Sequence, residues 1–141
     1  MIFLDAPTGF KPKFEVASVF ILNDNEFLMI KSSKNKPTAD MWGVPAGKLE
    51  KGESINDAAK RELFEETGIK IKDIKYFKTV YVRYPEFDFI YHMHQANIPI
   101  KITPILNPEE HIDFKWSSPK SALNEYLIPD EDSCIKLFFQ L

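Results

Sequence analysis

Cysteine is nearly absent: Cys134 is the only one in 141 residues. That excludes an internal disulfide and any cysteine-based metal cluster. Arginine is almost as scarce, with Arg61 and Arg83 alone, and the formal net charge is −3. A chain of this charge offers no basic surface for a nucleic-acid polymer. It can still take a small phosphorylated molecule, because a bound metal can supply positive charge. No apolar run approaches the roughly 18 residues of a membrane-spanning helix. The opening residues, MIFLDAPTGF, have no basic segment, and their apolar run stops at Asp5, so no secretory signal is expected. A cytoplasmic setting without a membrane partner is the default.

What is present suits one domain over residues 1–141, with 44 % hydrophobic and 28 % charged residues and enough chain for a core. Pro7, Gly9 and Pro12 suggest a loosely attached arm over residues 1–12. Residues 14–22, dense in β-branched and aromatic side chains, read as a strand. A turn follows at Asn23-Asp24-Asn25, then a returning strand over 26–31. The polar stretch 32–41 reads as a loop. Strands are expected at 70–83 and 87–97, and a short one at 111–116. Helices are expected at 119–126 and 130–139, the second opened by Asp130, Glu131 and Asp132. Strands, one helix, more strands and then helices imply an α/β fold: a mixed sheet with helices on both faces.

Residues 47–69, GKLEKGESINDAAKRELFEETGI, carry the strongest pattern. Gly47 is followed by five residues and Glu53. Seven more lead to Arg61-Glu62-Leu63, one spacer, Glu65-Glu66, one spacer, and Gly68-Ile69. Ser54 can cap a helix whose third residue, Asp57, completes a capping box. Gly68 can end that helix in a left-handed conformation. At roughly 100° per residue, with Ile55 at zero, Ala59 and Leu63 fall near 40° and 80°. Glu66 falls near 20° and Glu62 near 340°, within or beside the apolar stripe, while Glu65 lies near 280°. Taken alone, KRELFEET would read as a solvated helix face with i,i+4 ion pairs. The stripe geometry contradicts that reading, because unpartnered carboxylates on an inward face cost several kcal/mol each. Arg61 can orient one or two of them through paired hydrogen bonds. The remaining negative charge calls for a hard divalent ion, Mg²⁺ or Mn²⁺.

The spacing resembles the Nudix box, the loop–helix–loop of hydrolases that split a diphosphate linked to another group. Every defining position is filled. The resemblance implies a Nudix-type α/β/α sandwich with a mixed sheet, in agreement with the element order. It implies metal ligation by Glu62, Glu65 and Glu66 and by the carbonyl of Gly47. Glu53 would act further out, oriented by Arg61. A later carboxylate is common in the family, and Glu109 or Glu110 is the candidate. Glu62 and the Glu109/Glu110 pair are the leading choices for the general base.

Substrate-selecting residues are less legible. Trp42, just before the box, could stack on a base or belong to the core. Tyr81 and Arg83 on a strand could meet a nucleotide or simply pack. Lys48 and its neighbours Lys31, Lys34 and Lys36 could meet phosphate, with solvated surface as the alternative. His92 and His94 share a strand face. Zinc would need more ligands than these and His111 provide, so polar lining of the substrate cleft is the preferred reading of that pair. The chain lacks the extra N-terminal domain that many ADP-sugar hydrolases of the family use to dimerise. The resemblance therefore implies a MutT-like nucleoside triphosphate pyrophosphohydrolase that releases a nucleoside monophosphate. A nucleotide sugar or dinucleoside polyphosphate is the alternative substrate. A module of the same fold that binds a nucleotide without turnover is the alternative of a different class. The sequence is compatible with a monomer or a homodimer.

Overall fold

The computed structural model describes residues 1–141. Its elements are β1 (Ile2–Phe3), β2 (Pro12–Asn23), β3 (Glu26–Ser32), β4 (Trp42–Gly43), β5 (Ala46–Lys48), α1 (Ile55–Thr67), β6 (Lys75–Arg83), β7 (Asp88–Asn97), β8 (His111–Ser117), α2 (Pro119–Ala122) and α3 (Glu131–Phe139). The main path across the sheet runs β1-β6-β7-β2-β3-β4, with β5 on β2 and β8 on β3. β2 and β7 pair in parallel, whereas the other strand pairs are antiparallel. The sheet is therefore mixed, as expected, with α1 packed on one face and α3 on the other, an α/β/α sandwich.

β2 is buried on both faces, which explains its near-continuous apolar run. Ala17, Val19 and Ile21 pack with Ala58, Ala59 and Leu63 of α1 in one core cluster. Phe20 belongs to a second cluster with Phe27, Met29 and Ile135, and its ring stacks on Phe138 at 4.2 Å. Two cores on opposite sides of one sheet fix α1 and α3 independently. Leu63 is fully buried; truncating such a leucine to alanine costs about 2–5 kcal/mol.

The box helix has the expected ends. Ser54 Oγ accepts a hydrogen bond from the Asp57 N–H at 3.1 Å. Gly68 sits at φ 72° and its N–H donates to the Phe64 carbonyl. Without a Cβ, glycine takes this conformation at no steric cost.

Three expectations are corrected. Residues 1–12 are not loose: Ile2 and Phe3 pair with Val82 and Tyr81, and the Met1 ammonium sits 2.6 Å from Asp130 Oδ2. The strand expected from residue 70 starts at Lys75. The helix expected over 119–126 is a single turn, Pro119–Ala122, capped by Ser118. Beyond it the chain is held by Trp42, whose N–H donates to the Tyr126 carbonyl and whose carbonyl accepts from the Ile128 N–H.

Candidate active site

α1 presents its carboxylates to a cleft of about 580 Å³ lined by Lys36, Gly47, Glu62, Glu65, Glu66, Asn107 and Glu110, among others. Arg61 organises one side. Its Nε and Nη2 donate to Glu53 Oε2 and Oε1 at 2.7 and 2.9 Å. Its Nη1 donates to Glu62 Oε1 at 2.8 Å and to Glu65 Oε2 at 3.3 Å. Nη2 also donates to the Lys48 carbonyl at 3.0 Å, tying the helix to β5. The Arg61 hydrogen bond holds Glu53 below the usual carboxylate range.

Glu62 and Glu66 are different. Their side chains are only 15 % and 14 % exposed, and the helix turns both inward as the angular reading expects. Burial raises Glu62 above its ordinary value despite Arg61. Burial pushes Glu66 up to about 8; its one backbone donor, the Ala46 N–H at 2.8 Å, does not offset that loss of hydration. Gly47 faces Glu62 so closely that an added Cβ would overlap the Glu62 carboxyl group. That glycine is needed for close approach rather than for an unusual backbone angle.

Glu110 lines the cleft and is ion-paired with Lys36. Glu109 is exposed and not among the lining residues; its carbonyl accepts from Ser33 Oγ at 2.7 Å. Of the two sequence candidates, the structure thus brings Glu110 to the site. One further cleft residue, Asn107, gives no signal in the sequence. Asn107 lies in the proline-broken stretch that shows no periodicity. His111, 7 % exposed, places Nε2 3.8 Å from Glu66 Oε2, and burial lowers it to about 4.

Three proposed substrate contacts fall elsewhere. Trp42 is 7 % exposed and part of the core, with the Lys31 and Lys115 ammonium groups 5.7 and 4.4 Å from its ring centre. Tyr81 packs edge-on against Phe10 at 5.4 Å. Arg83 spends Nε on Asp88 Oδ1 at 2.9 Å and Nη2 on Asp88 Oδ2 at 3.1 Å. Nor do His92 and His94 line the cleft. His92 hydrogen-bonds Glu15 and Thr79 at 2.7 Å each, and His94 Nδ1 faces the Ser18 carbonyl at 3.1 Å.

A second cavity, about 200 Å³, adjoins the acidic cleft and shares Ala46 with it. Phe14, Phe87, Phe89, Tyr84 and Tyr91 line it together with Glu131. Glu131 is 6 % exposed. Its Oε1 accepts from the Val44 N–H at 3.0 Å, while Oε2 has no partner. Burial pushes it up to about 7. Glu131 sits in the first turn of α3, as expected, and its side chain also lines this cavity. Lys48 stands over the Phe14 ring at 4.3 Å and is not among the residues lining either cavity.

The donors of the acidic cleft are of the kind a hard cation takes, but no group of three or more carboxylates is placed to hold one in this structure. One guanidinium serves Glu53, Glu62 and Glu65, Glu62 Oε2 makes no hydrogen bond, and Gly47 leaves room beside that carboxyl group. All available donors are oxygens, the set preferred by Mg²⁺ and Mn²⁺.

Comparison with known proteins agrees with this geometry. The NUDIX domain model matches residues 12–138. The 8-oxo-dGTP diphosphatase of Buchnera aphidicola subsp. Schizaphis graminum is 35 % identical over 60 residues, which are 43 % of this chain and 46 % of that one. That match therefore spans about half of the relative. The CTP pyrophosphohydrolase of Escherichia coli is 29 % identical over 127 residues, covering 90 % of this chain and 92 % of its own. The MutT protein of Methanosarcina mazei has 27 % identity and a TM-score of 0.75, with 92 % and 95 % of the two chains aligned. With its box carboxylates gathered in one cleft, the chain belongs to the NUDIX family, as a hydrolase of the pyrophosphohydrolase type.

Proposed function

We propose that this protein is a MutT-like nucleoside triphosphate pyrophosphohydrolase dependent on Mg²⁺ or Mn²⁺. The observation that carries this reading is the pair Glu62 and Glu66, turned inward on α1, with Arg61 on Glu62 and only a backbone N–H, that of Ala46, on Glu66. Glu65, Glu66, Glu110 and the Gly47 carbonyl would hold the ions, and Glu62 would stand beside them. Such ions neutralise phosphate oxygens and lower the pKa of bound water.

The chain's own groups then have distinct tasks. Arg61 keeps the Glu62 and Glu53 carboxylates in fixed orientations through paired hydrogen bonds. Glu62 is the general base: its Oε2 is free to take a water proton while Oε1 stays on Arg61. Water attacks one phosphorus of the nucleoside diphosphate unit and a bridging P–O bond breaks. The products are a nucleoside monophosphate and pyrophosphate.

The adjoining aromatic cavity supports a base-bearing substrate. Flat rings offer stacking surface, and the unpartnered Glu131 Oε2 offers a polar contact to a base edge. Ala46, common to both cavities, would lie between base and phosphates. These residues also support small-molecule binding over a polymer, and no helix is long and apolar enough to cross a membrane.

The test is a panel of nucleoside triphosphates, oxidised nucleotides, nucleotide sugars and dinucleoside polyphosphates, assayed with each metal and with products identified. Expected is preferential cleavage of a triphosphate to monophosphate and pyrophosphate. Preferential cleavage of a nucleotide sugar or dinucleoside polyphosphate would reassign the substrate. Binding without turnover of any of them would make the chain a sensor module.

A further inference from the structure

Lys36 is the only lysine or arginine among the residues lining the acidic cleft. It reaches in from the loop between β3 and β4 and closes on Glu110, in the neighbouring segment before β8. Both segments are held in place. The Ser33 N–H donates to the Glu110 carbonyl at 2.9 Å, and the Glu110 N–H donates to the Asn107 carbonyl at 2.9 Å. Ser33 Oγ donates to the Glu109 carbonyl at 2.7 Å, and Thr38 Oγ1 donates to Ser32 Oγ at 3.0 Å. The backbones are thus fixed while the two side chains, 35 % and 49 % exposed, remain free to separate.

The pairing places an ammonium group on a carboxylate of the cleft. A divalent ion and an ammonium group compete for the same oxygens, and each repels the other. A polyphosphate, in contrast, attracts the ammonium group. Lysine is suited to such an exchange, because it is a mobile point charge on a flexible stem rather than a rigid fork.

We propose that Lys36 is a phosphate-contacting residue that masks Glu110 in the substrate-free protein and exchanges it for the polyphosphate when the site loads. This rests on the proposed pyrophosphohydrolase reading and adds to it a latch built into the cleft. It assigns opposite signs to the two effects of removing Lys36. Metal binding becomes tighter, because Glu110 is unmasked and a repelling charge is gone. Substrate binding becomes weaker, because a phosphate contact is lost.

The experiment compares wild type, Lys36→Met, Glu110→Gln and the double variant. Mg²⁺ and Mn²⁺ affinities are measured by titration calorimetry without nucleotide, and KM and kcat with the best nucleoside triphosphate. In Lys36→Met, metal affinity should rise about threefold or more and KM should rise about tenfold, with kcat changed far less. In the Glu110→Gln background, removing Lys36 should no longer tighten metal binding. Unchanged or weaker metal affinity in Lys36→Met would overturn the latch, as would an unchanged KM. No metal uptake by wild type, Lys36→Met or Glu110→Gln would instead overturn the proposed function on which the latch rests.

Discussion

Arg61 and Glu53, eight residues apart, form a two-pronged pair, with Nε–Oε2 at 2.7 Å and Nη2–Oε1 at 2.9 Å. The loop before α1 is thereby bolted to the helix, and the third arm of the same guanidinium steadies Glu62. Arg61→Ala removes both functions. We expect a stability loss of about 1–3 kcal/mol, the scale for a buried charged group left unpaired. For a domain of this size that lowers the melting temperature by several degrees. Turnover should fall at least about tenfold, as when groups that orient a metal's ligands are lost. Arg61→Lys should rescue only partly, since an ammonium cannot copy the fork. Thermal melts and steady-state kinetics check this; a neutral Arg61→Ala would remove the orienting role.

Proton linkage gives a second prediction. Burial raises Glu66 to about 8 and Glu131 to about 7, both from 4.5. The metal-free fold therefore holds protons that the unfolded chain has released. The stability these carboxyls contribute is complete below about pH 4.5 and is lost as pH rises through their folded values. His111 acts the other way: lowered from 6.5 to about 4, it favours the fold increasingly between those values and adds nothing more above them. From about pH 6.5 to 8.5 the carboxyls alone remain, so the metal-free melting temperature should fall across that window. Saturating Mg²⁺ should flatten the slope and release protons on binding. Glu66→Gln should remove the Glu66 share of the slope. Scanning calorimetry with and without chelator reads all three; a flat metal-free profile in wild type would contradict the Glu66 assignment.

Gly47→Ala tests the close approach of β5 to α1. The added methyl group meets the Glu62 carboxyl group, which must rotate away. The fold should survive, because a flexible side chain can yield where a backbone cannot. Activity should drop about 10–100-fold, the range for a misplaced metal environment. Full activity in Gly47→Ala would show that Glu62 works from another position.

Glu131→Gln probes the aromatic cavity. Replacing the unpartnered oxygen by an amide should raise KM for nucleoside triphosphates about tenfold, the worth of one hydrogen bond to a charged group. Inorganic tripolyphosphate, which has no base, should be handled equally by wild type and variant. Equal loss on both substrates would place Glu131 in the fold rather than in base recognition.

The legible part of the molecule was the part governed by local rules. The box helix, its Ser54 and Gly68 ends and the inward turn of Glu62 and Glu66 follow from capping chemistry and a fixed angle per residue. The strand β2 follows from its dense run of β-branched and aromatic side chains. Long-range choices were not legible. Nothing local shows that Ile2 and Phe3 pair with residues some 80 positions away. Trp42 stayed open between core and ligand, and the cavity role of Glu131 was hidden behind its place at the start of α3, for one reason: whether a side chain meets a ligand or a neighbour depends on which distant element covers it. Asn107 enters the cleft through a segment whose prolines hide any period. Lys36 could not be told from three other lysines until the loop placed it on Glu110.

The most direct test of the metal-dependent chemistry is product identification after incubating a nucleoside triphosphate with wild type and Glu66→Gln, with Mg²⁺ and with chelator. Expected are monophosphate and pyrophosphate from wild type with metal only, and a near-complete loss in a folded Glu66→Gln. Equal product formation by Glu66→Gln, or by wild type stripped of metal, would contradict it.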